Sequence, residues 1–193
     1  PTYTPTPTST STPTPKPTST PTPTPTQPLV YKIEGYIAPD FNISLDSSTV
    51  KSGYKIEIMG TSLSAISDKN GYFVISNIPS GVYSVRISKQ GYLSRIISNV
   101  IANNNVTIGT SSTPVLIWAG DIPINGAQDD IINMNDIIQL AQVFNTTLSS
   151  SNYLPQCDLN CDNTINIADV VIIAAHFNSI TSNYPEFVPI YSK

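Results

Sequence analysis

Between residues 29 and 117 apolar side chains recur at every second position. In YKIEGYI, Tyr31, Ile33, Gly35 and Ile37 share one face; in GYKIEIM, Tyr54, Ile56 and Ile58 do; in GVYSVRIS, Tyr83, Val85 and Ile87 do. Period two marks a strand buried on one side. Turn-forming clusters separate these runs: SDKNGYF around Asp68–Gly71, NIPSGVY around Pro79–Gly81 and KQGYL around Gly91. About seven short strands at this spacing predict an antiparallel β-sandwich. Nothing in it pairs carboxylates, sets a Ser beside a His or forms a phosphate loop, so it reads as a structural domain.

Beyond Trp118 the pattern changes and repeats. A shift of 33 residues aligns DDIINMNDIIQLAQVFN (129–145) with DNTINIADVVIIAAHFN (162–178). Asp129/Asp162, Ile132/Ile165, Asn133/Asn166, Asp136/Asp169, Ala141/Ala174, Phe144/Phe177 and Asn145/Asn178 are identical pairs. Each copy is an oxygen-rich loop followed by an apolar helix of about ten residues.

Composition separates a third region. Residues 1–28 hold 10 of the 17 prolines with 12 threonines and 3 serines, and Lys16 is their only charge. Proline removes ladder donors, so this stretch predicts an extended spacer on the order of 85 Å long at about 3.1 Å per residue. Ser/Thr/Pro-rich stalks of this kind are often O-glycosylated and extracellular. The chain opens on Pro and shows no signal peptide, which reads as a piece of a longer protein. No apolar run is long enough to span a membrane. The net charge of −4 and scarcity of basic residues argue against nucleic acid.

From Trp118 to Pro185 there are seven Asp and no Glu, Lys or Arg. Such a surface repels itself unless positive charge comes from outside the chain. The spacing says what kind. With Asp158 as loop position 1, oxygen side chains fall at position 3 (Asn160), 5 (Asp162), 9 (Asn166) and 12 (Asp169), and Thr164 offers its carbonyl at 7. That is the ligand spacing of an EF-hand-type calcium loop. Position 6 needs a left-handed residue and holds Asn163. Ile165 is expected to point inward and pair with Ile132. Leu154–Pro155 stands where an incoming helix would end, so each unit is a half-hand, a loop with only its outgoing helix.

The first loop is less regular. Counting back from Asp136 at position 12 gives Asn133 at 9, the Ile131 carbonyl at 7 and Asp129 at 5. Straight counting then puts Asn125 at position 1. If four extra residues bulge out instead, Asp121 takes position 1. GDI at 120–122 favours the second count.

CDLNCDNTINIADVVIIAAHFN (157–178) contains both cysteines and the single histidine. Zinc needs four N/S ligands, and Cys157, Cys161 and His176 supply three at most. A disulfide between the cysteines is left open, being geometrically demanding across so short a loop. His176 reads as a partly buried or surface contact.

Two half-hand loops joined by a linker near twenty residues resemble a dockerin, over residues 119–185. The second loop carries the motif almost throughout, and the first departs from it as described. The order of GYI, GYKIEIMGT and SDKNGYFVISNIPSGVYSVRI resembles sandwich modules related to carboxypeptidase regulatory domains. Together with the Pro/Thr linker and VLIWAGDI, the pair is similar to an X-module and type II dockerin at the C-terminus of a cellulosomal scaffoldin. The resemblance implies a multi-domain chain. Its parts are a linker at 1–28, an all-β, Ig-like X-module at 29–117, a small all-α dockerin with two calcium-binding half-EF-hands at 118–185, and a tail at 186–193.

It also implies two Ca2+ ions, a type II cohesin of a cell-surface anchoring scaffoldin as partner, and a secreted, cell-surface-associated complex that meets polysaccharide only indirectly. In dockerins the residues just before the last ligand contact the cohesin. Here they are Met134 and Asn135, and Ile167 and Ala168. Ile138, Ala141 and Gln142, with Val171, Ala174 and Ala175, are the helix positions expected to extend the contact. At the positions just before the last ligand type I dockerins usually carry a Ser/Thr pair, so the mostly apolar Met134/Asn135 and Ile167/Ala168 favour type II. A type I-like dockerin that incorporates an enzyme or scaffold subunit is the alternative. Catalysis is not expected, and a carbohydrate-binding sandwich is disfavoured because the tyrosines are spread over several strands.

Overall fold

The computed structural model describes residues 1–4, 29–41 and 48–192, so the spacer expected at 1–28 falls almost wholly outside the described residues. Eight strands precede Trp118: β1 (Val30–Pro39), β2 (Lys55–Ile58), β3 (Ser64–Ile66), β4 (Tyr72–Pro79), β5 (Gly81–Lys89), β6 (Tyr92–Ala102), β7 (Val106–Ile108) and β8 (Val115–Ile117). One helical turn, α1 (Ser48–Lys51), leads into β2. The second half runs β9 (Ile131–Ile132), α2 (Met134–Ala141), β10 (Thr146–Thr147), β11 (Thr164–Ile165), α3 (Ile167–Ala175), β12 (Ser179–Ile180) and β13 (Ile190–Tyr191).

Two sheets make the sandwich. One has the order β3-β2-β5-β6, and the other runs β13-β7-β1-β4 with β8 pairing the end of β1. The alternating side chains face each other between them: Ile33, Ile37, Tyr54, Ile56, Ile58, Val85 and Ile87 are all buried. Tyr31 and Tyr83 pack at the edge of this core. Not every pairing is antiparallel, because β7 and β8 both run parallel to β1. Gly35 permits the first of these approaches. A Cβ there would sit 1.8 Å from the carbonyl oxygen of Ile108.

Three expectations are corrected. The segment read as a tail at 186–193 folds back, and Ile190–Tyr191 adds a strand to the sandwich on β7. The second half is not purely helical, because β10 pairs with β11 and β9 with β12. Ile132 and Ile165 are both fully buried as expected, but they do not pair with each other. Ile165 lies opposite Thr146 and Ile132 opposite Ser179. Each loop strand thus pairs with the segment leaving the other repeat's helix. A repeat with one short helix cannot cover its own apolar face, so the two copies close on each other.

The two halves share one continuous core that includes Ile117, Ala119, Ile122, Leu159 and Ile173. Trp118 marks the seam. Its ring stacks between His176 (centroids 4.3 Å) and Tyr184 (4.2 Å). His176 also lies 3.3 Å from Asp40, and burial lowers its pKa despite that carboxylate. The Tyr184 hydroxyl accepts from the Trp118 amide and donates to the Leu93 carbonyl. Arg95 donates to the carbonyls of Leu116 and Pro185 and lies over the Tyr184 ring.

Tyr184→Phe keeps the ring but leaves an amide and a carbonyl at the seam without their shared partner. It should cost about 2 kcal/mol in denaturant unfolding, within the usual range for stranded buried groups. A loss below about 0.5 kcal/mol would mean that the ring alone holds the seam.

Candidate cation loops and exposed helix faces

The two loops have the same wiring. Asp169 closes the second: one carboxylate oxygen accepts from the Leu159 amide (2.8 Å) and the other from the Asn166 amide (2.9 Å). Asp136 closes the first in the same way, accepting from Ile122 and Asn133 at 2.7 Å each. Leu159 follows Asp158, so the matching amide at Ile122 makes Asp121 the counterpart of Asp158. The count with four extra residues is therefore the one the chain adopts. The surplus forms a tight turn between Ile124 and Ala127, with Asn125 and Gly126 at positive φ.

Later positions agree. At loop position 6 both loops hold a left-handed residue, Asp130 (φ 60°) and Asn163 (φ 70°), and Cys161 (φ 57°) is left-handed as well. Asp129 accepts from the Ile131 amide as Asp162 does from Thr164. Asn133 and Asn166 are helix N-caps, each accepting at 2.7 Å from the amide two residues on. Their oxygens therefore hold the helix start in place before anything else is asked of them. In the second loop Asp158 accepts from the amides of Asp162 and Asn163 and from the Tyr153 hydroxyl. The Asn160 side chain spans Asp162, accepting from its amide and donating to its carboxylate. The insertion leaves Pro123 where Asn160 would stand, so the first loop lacks that side-chain oxygen.

The donor sets were tested against a hard cation. Among the described residues no three His, Cys, Asp or Glu side chains form a metal cluster of their own. The loops instead mix carboxylates with Asn oxygens and carbonyls, the set that calcium takes. Asp121 is the sharper test. It is fully buried, and neither carboxylate oxygen has a hydrogen-bond partner. A buried carboxylate in that state calls for a cation or a proton. Burial, with Asp136, Asp129 and Asp130 nearby, pushes its pKa to about 7. Burial likewise lifts Asp169 to about 6, against ordinary aspartate near 3.8, and raises Asp136. The residues fit a divalent cation in both loops.

Cys157 and Cys161 are free thiols, both pushed up by burial, Cys157 to about 12. They stand outside the oxygen set. On the helices, Met134, Asn135, Ile138, Ala141 and Gln142 are exposed, as are Ile167, Val171, Ala174 and Ala175, while Ala168 is half-buried. Leu140 and Ile173 take the inward positions.

Several residues around the loops were missed in the sequence. Gln128 donates at 2.8 Å to the carbonyls of both Asp121 and Tyr92. The Tyr92 hydroxyl donates to the Leu159 carbonyl, and Asp130 accepts from Ser94 and lies 3.5 Å from Arg86. The Asn125–Gly126 pair was the one readable signal, since it marks a tight turn and with it the insertion. Nothing in the sequence ties Tyr92 to a loop, or Gln128 of the first loop to a partner on β6.

Residues 43–113 match the carboxypeptidase regulatory-like domain family. Cellulosomal-scaffolding protein B of Acetivibrio thermocellus is 39% identical over 157 residues, which is 80% of this chain and 20% of that protein. Cellulosomal-scaffolding protein A of Acetivibrio thermocellus shows the same identity over the same length, 8% of its own. The chain thus spans a fifth or less of these relatives, both scaffolding proteins. A crystal structure of a C-terminal interface mutant of the type II cohesin–X-dockerin complex of Acetivibrio cellulolyticus contains a chain 43% identical. The alignment has a TM-score of 0.76 and covers 79% of this chain and 99% of that one. The N-terminal interface mutant of that complex aligns with a TM-score of 0.75 at the same identity and coverage. The chain is a homologue of the cellulosomal scaffolding proteins and belongs to the family represented in these type II cohesin–X-dockerin structures.

Proposed function

We propose that the chain is an X-module and type II dockerin, a calcium-dependent adaptor whose helices dock on a type II cohesin of a cell-surface anchoring scaffoldin. The reading places the protein outside the cell, holding a cellulosome to the envelope. One observation carries it. Met134, Ile138, Ile167 and Val171 are 55%, 52%, 64% and 62% exposed, and they occupy matching positions in the two repeats. A small domain gains nothing in its own stability from four large apolar groups in water. The same four are the desolvated anchors an interface centre needs.

The loops set where those anchors stand. Asp136 and Asp169 each tie the start of a loop to the start of a helix, and the Asn caps fix the first turn. Bound calcium would neutralise the carboxylates, and Asp121, Asp129, Asp136 with Asp158, Asn160, Asp162, Asp169 and the carbonyls of Ile131 and Thr164 would hold it. The chain's part is to keep these oxygens converged and the helix starts rigid, so metal binding and folding are linked.

Titration calorimetry with a type II cohesin should give 1:1 binding in calcium and none after chelation. Met134→Ala and Ile167→Ala should each weaken binding about tenfold, the effect of losing one interface anchor. Binding only to a type I cohesin would move the chain to the alternative class. Binding that survives chelation would separate the interface from the metal.

A pH series tests the loops themselves. Asp121 (about 7) and Asp169 (about 6) have folded-state pKa values above the ordinary 3.8. Their contribution to metal-free stability is therefore present below about pH 4 and lost as pH rises through 6 to 7. Protons and calcium compete for the same oxygens. The rise in Tm caused by calcium should thus be small at pH 5 and grow to a plateau near pH 8. A calcium-induced shift that is flat across this range would mean that these carboxylates are not ligands.

A further inference from the structure

We propose that strand β6 of the sandwich sets the cation affinity of both loops, with Tyr92 and Gln128 as the positioning residues; this rests on the calcium reading above. The symmetry of the repeats stops at the loop entrances, and there the sandwich takes over. Tyr92 is 2% exposed and touches both loops at once. Its carbonyl accepts from the Gln128 amide, which also holds the carbonyl of Asp121 at the head of the first loop. Its hydroxyl donates at 2.7 Å to the carbonyl of Leu159, next to Asp158 at the head of the second loop. The Gln128 amide orientation is fixed by chemistry, because only its NH2 can face two carbonyl oxygens.

Two further contacts run from the same part of the sandwich. Ser94 of β6 donates to Asp130, at position 6 of the first loop, and Arg86 of β5 lies beside it. Gln128 directly follows the surplus turn of the first loop, and its counterpart in the second, Cys161, brings only a thiol to 3.8 Å from the Asp158 carbonyl. The insertion costs that loop the side-chain oxygen that Asn160 supplies to the second. Gln128, just after it, clamps Asp121 where both its carboxylate oxygens are buried and unpartnered. A cation site with fewer side-chain ligands depends more on how firmly those left are held. The first loop therefore relies on the sandwich more than the second does.

The test uses the whole chain, calcium alone as the probe, and two substitutions that keep side-chain size. Gln128→Met removes the two donors, and Tyr92→Phe removes the hydroxyl. Calorimetry on the wild type should resolve two calcium ions. Gln128→Met should weaken one of them about tenfold or more and leave the other within about twofold, as losing buried hydrogen bonds to a ligand's own backbone predicts. Tyr92→Phe should weaken the other site by a smaller, several-fold factor. Circular dichroism of the calcium-loaded variants reports whether the fold is kept. Lys69→Ala, in the exposed turn between β3 and β4, is a control outside every proposed contact and should change neither affinity. Wild-type affinities in both folded variants would overturn the proposal and leave the calcium reading standing. An equal fall at both sites in Gln128→Met would also overturn it, as general loosening. A wild type that binds no calcium would remove the reading on which it rests.

Discussion

The second half depends on one contact made twice. A single aspartate at the third position of each helix accepts from the helix cap with one oxygen and from the head of the loop with the other. That bidentate grip converts a loop of roughly a dozen residues into a ring, and the helix leaves the ring in a fixed direction. The grip also buries a carboxylate, 2% exposed at Asp136 and 0% at Asp169, with no Lys or Arg between Trp118 and Pro185. Hydrogen bonds from amides offset part of the desolvation, but they leave the neighbouring carboxylates repelling one another. The architecture holds itself in shape and lacks only positive charge.

The ladders follow from the same economy of size. Helices of eight and nine residues are too short to be stable alone. Each loop strand therefore pairs with the exit of the other repeat's helix, and Asn145 and Asn178 turn into those exits with φ near 60°. Leu140 and Ile173 plug the centre between the repeats. What remains outside is a set of matched apolar side chains that the domain has no way to cover. Exposure at the helix starts is thus a consequence of how the repeats close.

Much of this could be read from residues alone, and the parts that could not share a cause. Period-two alternation located the sandwich core, because burial on one face dictates it locally. The 33-residue repeat located the loops, because identical polar positions recur in it at fixed spacings. Pairing between distant segments left no such trace. Ile190–Tyr191 carries no mark that distinguishes a returning strand from a tail. Ile132 and Ile165 showed that they would be buried but not what they would lie against. The first loop sits between these cases. Its register was ambiguous by counting, and the long-range contact between Ile122 and Asp136 decides it. Tyr92 looked like one of many strand tyrosines, since its role comes from where β6 ends.

A symmetric pair of half-hands would present two equivalent faces, and the sandwich removes that equivalence. It touches the first loop through Gln128 and Asp130 and the second through Leu159. It packs Trp118 against His176 of the second helix only, and takes the final strand back onto β7. The repeats therefore share one internal wiring diagram but not one environment. Duplication supplies the matched exposed side chains, and attachment to the sandwich makes them distinguishable. A partner that met only the two helices would see near-symmetry, whereas one that reached the seam would see a single orientation. The insertion before Asp129 marks where the two repeats ceased to be interchangeable.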